Sequence, residues 1–436
     1  MNPSEENAHI WDERFNGIGQ AEITAGRLNK GLGTMPEALT CKEIVSRRWN
    51  LLQEHLSLPT AVLYEEKLEH NTRWMQRFID DYGVKLAPHG KTTMAPRLFA
   101  RQLAAGAWGI TLATPHQTAV AYAHGVRRIL MANQLVGRAN MHVVADLLRD
   151  EELEFYCLVD SAENARQLGG FFRARGQRLN VLIEIGVMGG RAGVRDGAQL
   201  EGLLAELGSW RQQINICGVE IYEGVLQDEI SVREYLHRAV EVTRSLAQAN
   251  RFDRDPVILS GAGSAWYDVV AEVFSASNIG YPVDVILRPG CYLTHDIGVY
   301  ETAQQRILSN NAVARKIGSG LLPALQLWAY VQSIPEKDKA ILTLGKRDAA
   351  FDSGLPRPVL HFRPGNPAPN SCPGAWKLVR MMDQHSFMTI AEGEDVRVGD
   401  MIGLEISHPC LTFDKWRYLP VLDSGYRVID LVETYF

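Results

Sequence analysis

The sequence predicts an α/β fold, a closed (β/α)8 TIM-like barrel followed by a mainly antiparallel β domain. Three observations carry that expectation. Eight short apolar runs recur between residues 83 and 291. The segments between them have helical spacing. After about residue 295, candidate strands follow one another with only polar turns between them. Strands that alternate with helices pair in parallel, because parallel neighbours need a crossover connection. Eight such units point to closure into a barrel, with an open doubly wound sheet as the alternative.

Residues 1–55 are polar and helix-leaning, and read as an extension that packs on the β domain or on a partner subunit. The barrel is expected over 56–295, with strands at Val84–Ala87, Gly109–Thr114, Arg128–Asn133, Glu154–Asp160, Val181–Gly186, Cys217–Glu223, Pro256–Gly261 and Val283–Gly290. Pro96–Ala105 and Val232–Val242 show the apolar spacing of the crossover helices. The β domain is expected over 296–436. Its strands are read at Val313–Ile317, Leu325–Ile334, Lys339–Gly345, Phe387–Ala391, Met401–Ser407 and Tyr426–Val432, with no long helix between them. The Pro-rich stretch 362–373 reads as a loop between strands.

Bulk properties narrow the function. Hydrophobic residues make up 46% of the 436 and charged residues 22%, as in an ordinary globular protein. Lys plus Arg number 45 against 51 Asp plus Glu, a net charge of −6, so no basic field invites nucleic acid or an anionic membrane. No apolar run approaches the roughly 20 residues that span a bilayer. The first residues, Met-Asn-Pro-Ser-Glu-Glu-Asn, lack the marks of a secretory signal, and the six cysteines are dispersed like reduced thiols. A cytoplasmic protein is expected.

Barrel active sites lie at the C-terminal ends of the strands. Lys91, in Pro88-His-Gly-Lys-Thr92, falls just past the first of these ends, where a deprotonated amine can condense with an aldehyde. A lysine in a βα loop is more often a solvated surface charge. After the seventh strand, Ser260-Gly-Ala-Gly-Ser264 precedes a helix, and the backbone of Ser260, Gly261, Gly263 and Ser264 forms a candidate anion cradle. A tight turn explains the same residues equally well. Past the eighth strand, the amides of Gly290 and Cys291 and the Tyr292 hydroxyl could complete the cradle, or the segment could serve as a hinge into the β domain. Arg191, flanked by glycines after the fifth strand, offers a guanidinium to a cofactor ring or a carboxylate; a surface ion pair is its bland reading. His408 and Cys410 stand two apart, on one side of a presumed extended segment, and supply a nitrogen and a sulfur suited to Zn2+. A His-x-Cys pair also arises by chance.

Taken together these motifs resemble the D-serine dehydratase and D-threonine aldolase family, the fold-type III pyridoxal-phosphate enzymes related to alanine racemase. The resemblance runs from Thr60-Ala-Val-Leu-Tyr64 to Leu411-Thr-Phe-Asp-Lys-Trp416. It implies pyridoxal 5'-phosphate on Lys91, with His89, Arg191, Tyr222, the Ser260–Ser264 loop and Gly290–Tyr292 around it. It also implies a divalent metal, Zn2+ for preference, on His408 and Cys410, an amino-acid substrate, and a homodimer. The chain departs from the family pattern at Gly186 and Met188, where Asp and Gly are expected, at Tyr222 in a histidine position, and at Gln117 in place of Glu. Those changes put the substrate in doubt more than the cofactor.

The implied activity is a lyase that dehydrates and deaminates a D-3-hydroxy amino acid such as D-serine to a 2-oxo acid and ammonia. Lys91 would act as the base at Cα and the metal would help the β-hydroxyl leave. The close rival is a metal-dependent D-threonine aldolase, which yields glycine and an aldehyde. By resemblance, the aldolases tend to carry a carboxylate at the position of Cys410. A racemase lacks an identifiable second acid/base here. A non-catalytic pyridoxal-phosphate carrier would resemble the barrel alone, without the β domain.

Overall fold

Each of the eight apolar runs becomes a strand of one all-parallel sheet in the computed structural model, which describes Gly19 and residues 22–436. In spatial order the strands are Lys85–Leu86, Val283–Leu287, Val257–Gly261, Ile214–Ile221, Leu179–Ile185, Glu154–Val159, Arg128–Gln134 and Ile110–Leu112. The first and last of these meet. Trp108 N–H donates to Leu86 O at 2.6 Å and Thr111 N–H to Pro88 O at 2.9 Å, and His89 forms a parallel bridge with Thr111. These contacts close the ring and exclude the open doubly wound sheet. Ala87, Leu130, Tyr156, Leu158, Leu182 and Ile286 fill the inside, which explains why the strands read as continuous apolar runs rather than alternating ones.

The crossover helices begin where the sequence provides caps. Thr114, Ser161, Asp196 and Asp228 each accept a backbone N–H of the first turn, for Pro115–Ala123, Ala162–Arg173, Gly197–Ser209 and Glu229–Gln248. These caps fix where four of the βα loops end.

Contacts divide the chain into two compact units. One contains Gln76–Lys91 and Pro96–Gly290; the other contains Glu22–Met75, Thr92–Ala95 and Cys291–Phe436. Residues 56–75, read from the sequence as the start of the barrel, fall in the second unit instead. Thr60–Tyr64 is antiparallel to Leu325–Glu336, with Thr60 opposite Trp328 and Leu63 opposite Leu325. Ile23, Leu32, Leu39, Ile44 and Leu51 share a core with Trp328 and Leu431 of the same unit. The first 18 residues of the expected extension lie outside the described residues.

The second unit is mainly antiparallel around the long strand Leu325–Glu336, which pairs with Met401–Glu405 and Lys339–Leu342. Two expectations need correction. Val313–Ile317 is not a strand but part of the helix Ala312–Ile317, because Asn311 caps it by accepting from Ala314 N–H at 3.0 Å. A 12-residue helix, Val299–Asn310, precedes it, so a long helix does occur in this region. Strands at Arg357–Phe362, Lys377–Met381 and Tyr418–Leu422 went unread. Among the described residues no helix is long and apolar enough to cross a membrane.

Candidate active site

In the barrel unit, Lys91 lies on the 3-10 turn Gly90–Thr92, just beyond the strand Lys85–Leu86. The turn is seated by packing: a Cβ on Gly90 would lie 2.7 Å from the Phe99 ring and 2.9 Å from Ile110. Only glycine allows that approach. His89, next to the turn, has a ring nitrogen, Nδ1, sealed from solvent with no hydrogen-bond partner. Burial, then the positive charges of Lys91, Arg288 and Arg191, drives the imidazole pKa well below its usual value, so the ring is neutral.

Beneath these groups lies a buried charged layer that the strand register builds. Glu184, Glu220 and Ser260 are neighbours across three adjacent strands. Arg288 pairs with Glu220, and also donates to Ser260 Oγ at 3.1 Å and Ile221 O at 2.9 Å. Gln134 donates to Glu184 at 2.5 Å. Burial pushes the Glu220 carboxyl upward while the Arg288 guanidinium pulls it back, and its Oε2 has no partner.

Arg191 is exposed, with its guanidinium 4.6 Å from the centre of the Tyr222 ring. Its loop is fixed from below. Gly193 N–H donates to Asp160 at 2.9 Å, Val194 N–H to Glu184 O at 2.8 Å, and Arg195 and Arg238 bond the loop carbonyls. A cavity of about 510 Å³ opens beside it, lined by Asp160, Ser161, Arg191, Arg195 and Gln199.

The Ser260–Ser264 loop behaves differently from the cradle expected. The Ser260 hydroxyl is fully buried and donates to Ile286 O at 3.0 Å. A Cβ on Gly261 would meet Ile221 at 2.9 Å, so that glycine serves packing. The amides of Ala262 and Gly263 donate to the buried Glu223 carboxylate at 3.1 and 2.7 Å. Glu223 thus holds the loop in shape, including the left-handed Ala262 at φ 79. Ser264 remains at the loop end, ahead of the helix Tyr267–Ser275, whose first turn carries no side-chain cap. Gly290, buried, ends the barrel unit.

In the second unit, Thr92, Cys291, His408 and Cys410 come together. Cys291 Sγ lies 3.7 Å from Cys410 Sγ, and Thr92 Oγ1 lies 3.3 Å from Cys410 Sγ. The segment is not extended as read from the sequence: Pro409 is helical at φ −58, ψ −45 and leads into the short helix Cys410–Phe413. That turn brings the imidazole and thiol together. His408 Nδ1 bonds Asp352 at 2.7 Å. Hydrogen bonds from Cys291, then His408 and Thr92, pull the Cys410 thiol down to about 4 against its burial. The same contact raises His408 to about 9. Tyr292 is buried beside Cys291 in the chain. Among the described residues no group of three or more His, Cys, Asp and Glu side chains already surrounds a point where a metal would sit.

Residues 64–294 match the family model described as the alanine racemase N-terminal domain. The chain belongs to that family. Residues 324–422, which include His408 and Cys410, match a second model, a putative serine dehydratase domain. A D-threonine aldolase of Arthrobacter sp is 27% identical over 376 residues, 84% of this chain and 89% of that protein. A D-threo-3-hydroxyaspartate dehydratase of Delftia sp. (strain HT23) is 34% identical over 153 residues, 35% of this chain and 39% of the relative. The crystal structure of D-threonine aldolase from Filomicrobium marinum superposes with a TM-score of 0.71 at 22% identity, over 87% of this chain and 95% of that one, a likeness of fold.

One departure from the family pattern has a local physical reason, and the contact made by Gln117 is one a Glu would make too. Gly186 has no room for an aspartate, since a Cβ would lie 2.1 Å from Ala192 O. Gln117 accepts the Ala113 N–H at 2.9 Å and so braces its own loop. Sequence reasoning missed Glu184, Glu220, Glu223, Thr92 and Asp352. For Glu184 and Glu220 the signal was present: a single carboxylate inside each of two apolar strands must face a partner, because a lone buried charge is too costly.

Proposed function

We propose that this chain is a pyridoxal-phosphate- and metal-dependent lyase that converts a D-3-hydroxy amino acid to a 2-oxo acid and ammonia. D-serine and D-threo-3-hydroxyaspartate are the first substrates to try. The observation that carries the reading is the imidazole–thiol pair His408/Cys410, lying within the stretch that matches the serine dehydratase model.

The barrel residues fit the cofactor. The sealed, unpaired Nδ1 of a neutral His89, among the cations Lys91, Arg191 and Arg288, suits an anionic aromatic aldehyde. When bound, pyridoxal phosphate supplies an electron sink that acidifies the substrate Cα–H. Lys91 would hold its aldehyde carbon and, once released, take the Cα proton. Arg191 is placed on a braced loop to meet a ring or a carboxylate. The thiolate of Cys410 and the imidazole of His408 would hold a divalent ion, Zn2+ for preference, that binds the β-hydroxyl and helps it depart.

The alignment with the Arthrobacter aldolase over most of both chains supports a second reading, retro-aldol cleavage of D-threonine. Incubation with D-serine, D-threonine and D-threo-3-hydroxyaspartate separates the two. Ammonia with a 2-oxo acid is the expected result; glycine with acetaldehyde and no ammonia rejects dehydration. Loss of turnover on chelation, with the cofactor still bound, distinguishes an enzyme from a carrier. Light scattering tests the proposed homodimer.

A further inference from the structure

We propose that Cys291 is a third protein ligand of the metal, making a Cys2His site from Cys291, Cys410 and His408 with one position open for substrate. The inference deepens the metal reading above and rests on it. An ion holding two thiolates at about 2.3 Å in tetrahedral geometry places the sulfurs about 3.8 Å apart. The two sulfurs here are 3.7 Å apart. A disulfide would bring them to about 2.05 Å, so the pair is spaced for an ion rather than for a covalent bond.

Both sulfurs stand on held backbone. Cys291 opens the 3-10 turn Cys291–Leu293, closed by His295 N–H donating to Cys291 O at 2.7 Å, and Cys410 opens the helix Cys410–Phe413. Asp352 occupies Nδ1 of His408 at 2.7 Å. That leaves Nε2 as the ligating nitrogen, with the carboxylate–histidine support common in metal sites. Thr92 Oγ1, 3.3 Å from one sulfur and 3.9 Å from the other, supplies an outer hydroxyl to both. The three donors are strung through Cys410 rather than gathered around one point, so binding must draw His408 inward; the sulfur spacing needs no change.

The donor count changes the chemistry. Three protein ligands with an open fourth position are the usual catalytic zinc arrangement. Two thiolates cancel the charge of a divalent ion and select zinc over magnesium or manganese, which prefer oxygen. Any ligand proton still in place, as on the Cys291 thiol, passes to the solvent as the ion binds.

X-ray absorption of the zinc-loaded wild-type chain, kept reduced with a phosphine, counts the sulfurs without any substitution. Two sulfurs at about 2.3 Å are expected; one sulfur overturns the inference and leaves the metal reading standing. The chain stripped of metal and titrated with Co2+ alone gives the second measurement. Sulfur-to-cobalt absorption in the wild type should fall by about half in Cys291→Ser, reflecting one of two thiolates. Zinc affinity should fall in that variant by more than about 100-fold, since even outer-shell partners are worth 10- to 100-fold. A Cys291→Ser chain that matches the wild type in both spectrum and affinity overturns the inference. A wild-type chain that takes up neither ion overturns the metal reading and the inference with it.

Discussion

The two ends of the barrel both bury charge, and they do so to different ends. At the floor, where the strands begin, Asp284 accepts from Lys85 at 2.6 Å and from Arg254 at 3.2 Å. Arg254 also reaches the Tyr156 hydroxyl at 3.1 Å, and Glu154 pairs with Arg128. None of these side chains has a sealed polar atom without a partner. At the mouth, where the strands end, Arg288, Glu220, Glu184 and Gln134 form a comparable layer, yet Glu220 Oε2 and His89 Nδ1 are left unmatched. Buried polar atoms are nearly always satisfied, because leaving one unmade costs about 1–3 kcal/mol. The floor is thus fully paired within the chain, whereas two polar atoms of the mouth have no partner within it.

Substitutions test that contrast. Lys91→Ala should have the largest effect on function, lowering turnover by at least about 10²- to 10⁴-fold and removing the absorption band of bound pyridoxal phosphate. The denaturation midpoint of the cofactor-free chain should hardly move, since an exposed side chain of this kind is worth within about 0.5 kcal/mol. Unchanged turnover would break the assignment of Lys91.

Glu220→Gln should lower stability by about 3–5 kcal/mol in a urea melt, because it strands the Arg288 charge in the interior. It should weaken cofactor binding as well. If affinity for pyridoxal phosphate stays intact, the mouth is as purely structural as the floor.

Asp284→Asn should cost less, about 1–3 kcal/mol, because Lys85 can turn to solvent. It should leave cofactor affinity unchanged in a fluorescence titration. A loss of affinity there would erase the distinction between the two ends. Smallest of all, Arg128→Ala should shift stability by no more than about 1 kcal/mol, since both partners of its ion pair are partly solvated.

How far the sequence could be read follows the same physics. The barrel strands were legible because both their faces are covered, so the apolar runs are unbroken. In the second unit strands such as Lys377–Met381 alternate irregularly between buried and exposed, and Pro358 and Pro420 interrupt two others. The apolar Val313 and Ile317 fit a strand as well as a helix, and only the Asn311 cap decides between them. Lys91, His408 and Cys410 could be singled out as candidates from their types and neighbours. The occupation of the Ser260–Ser264 amides by Glu223 could not, because that carboxylate reaches them across 39 positions of chain. Nor did the amide reading of Cys291 reveal that its sulfur faces Cys410, a contact across 119 positions.

The hydrogen bonds that close the ring run through Leu86, Pro88 and His89, the residues leading directly into Lys91. That seam, between strands that follow one another in the chain, therefore also sets the turn that carries Lys91. With Lys91 as the proposed attachment point, capture of the coloured cofactor would serve as a visible marker that this seam has closed.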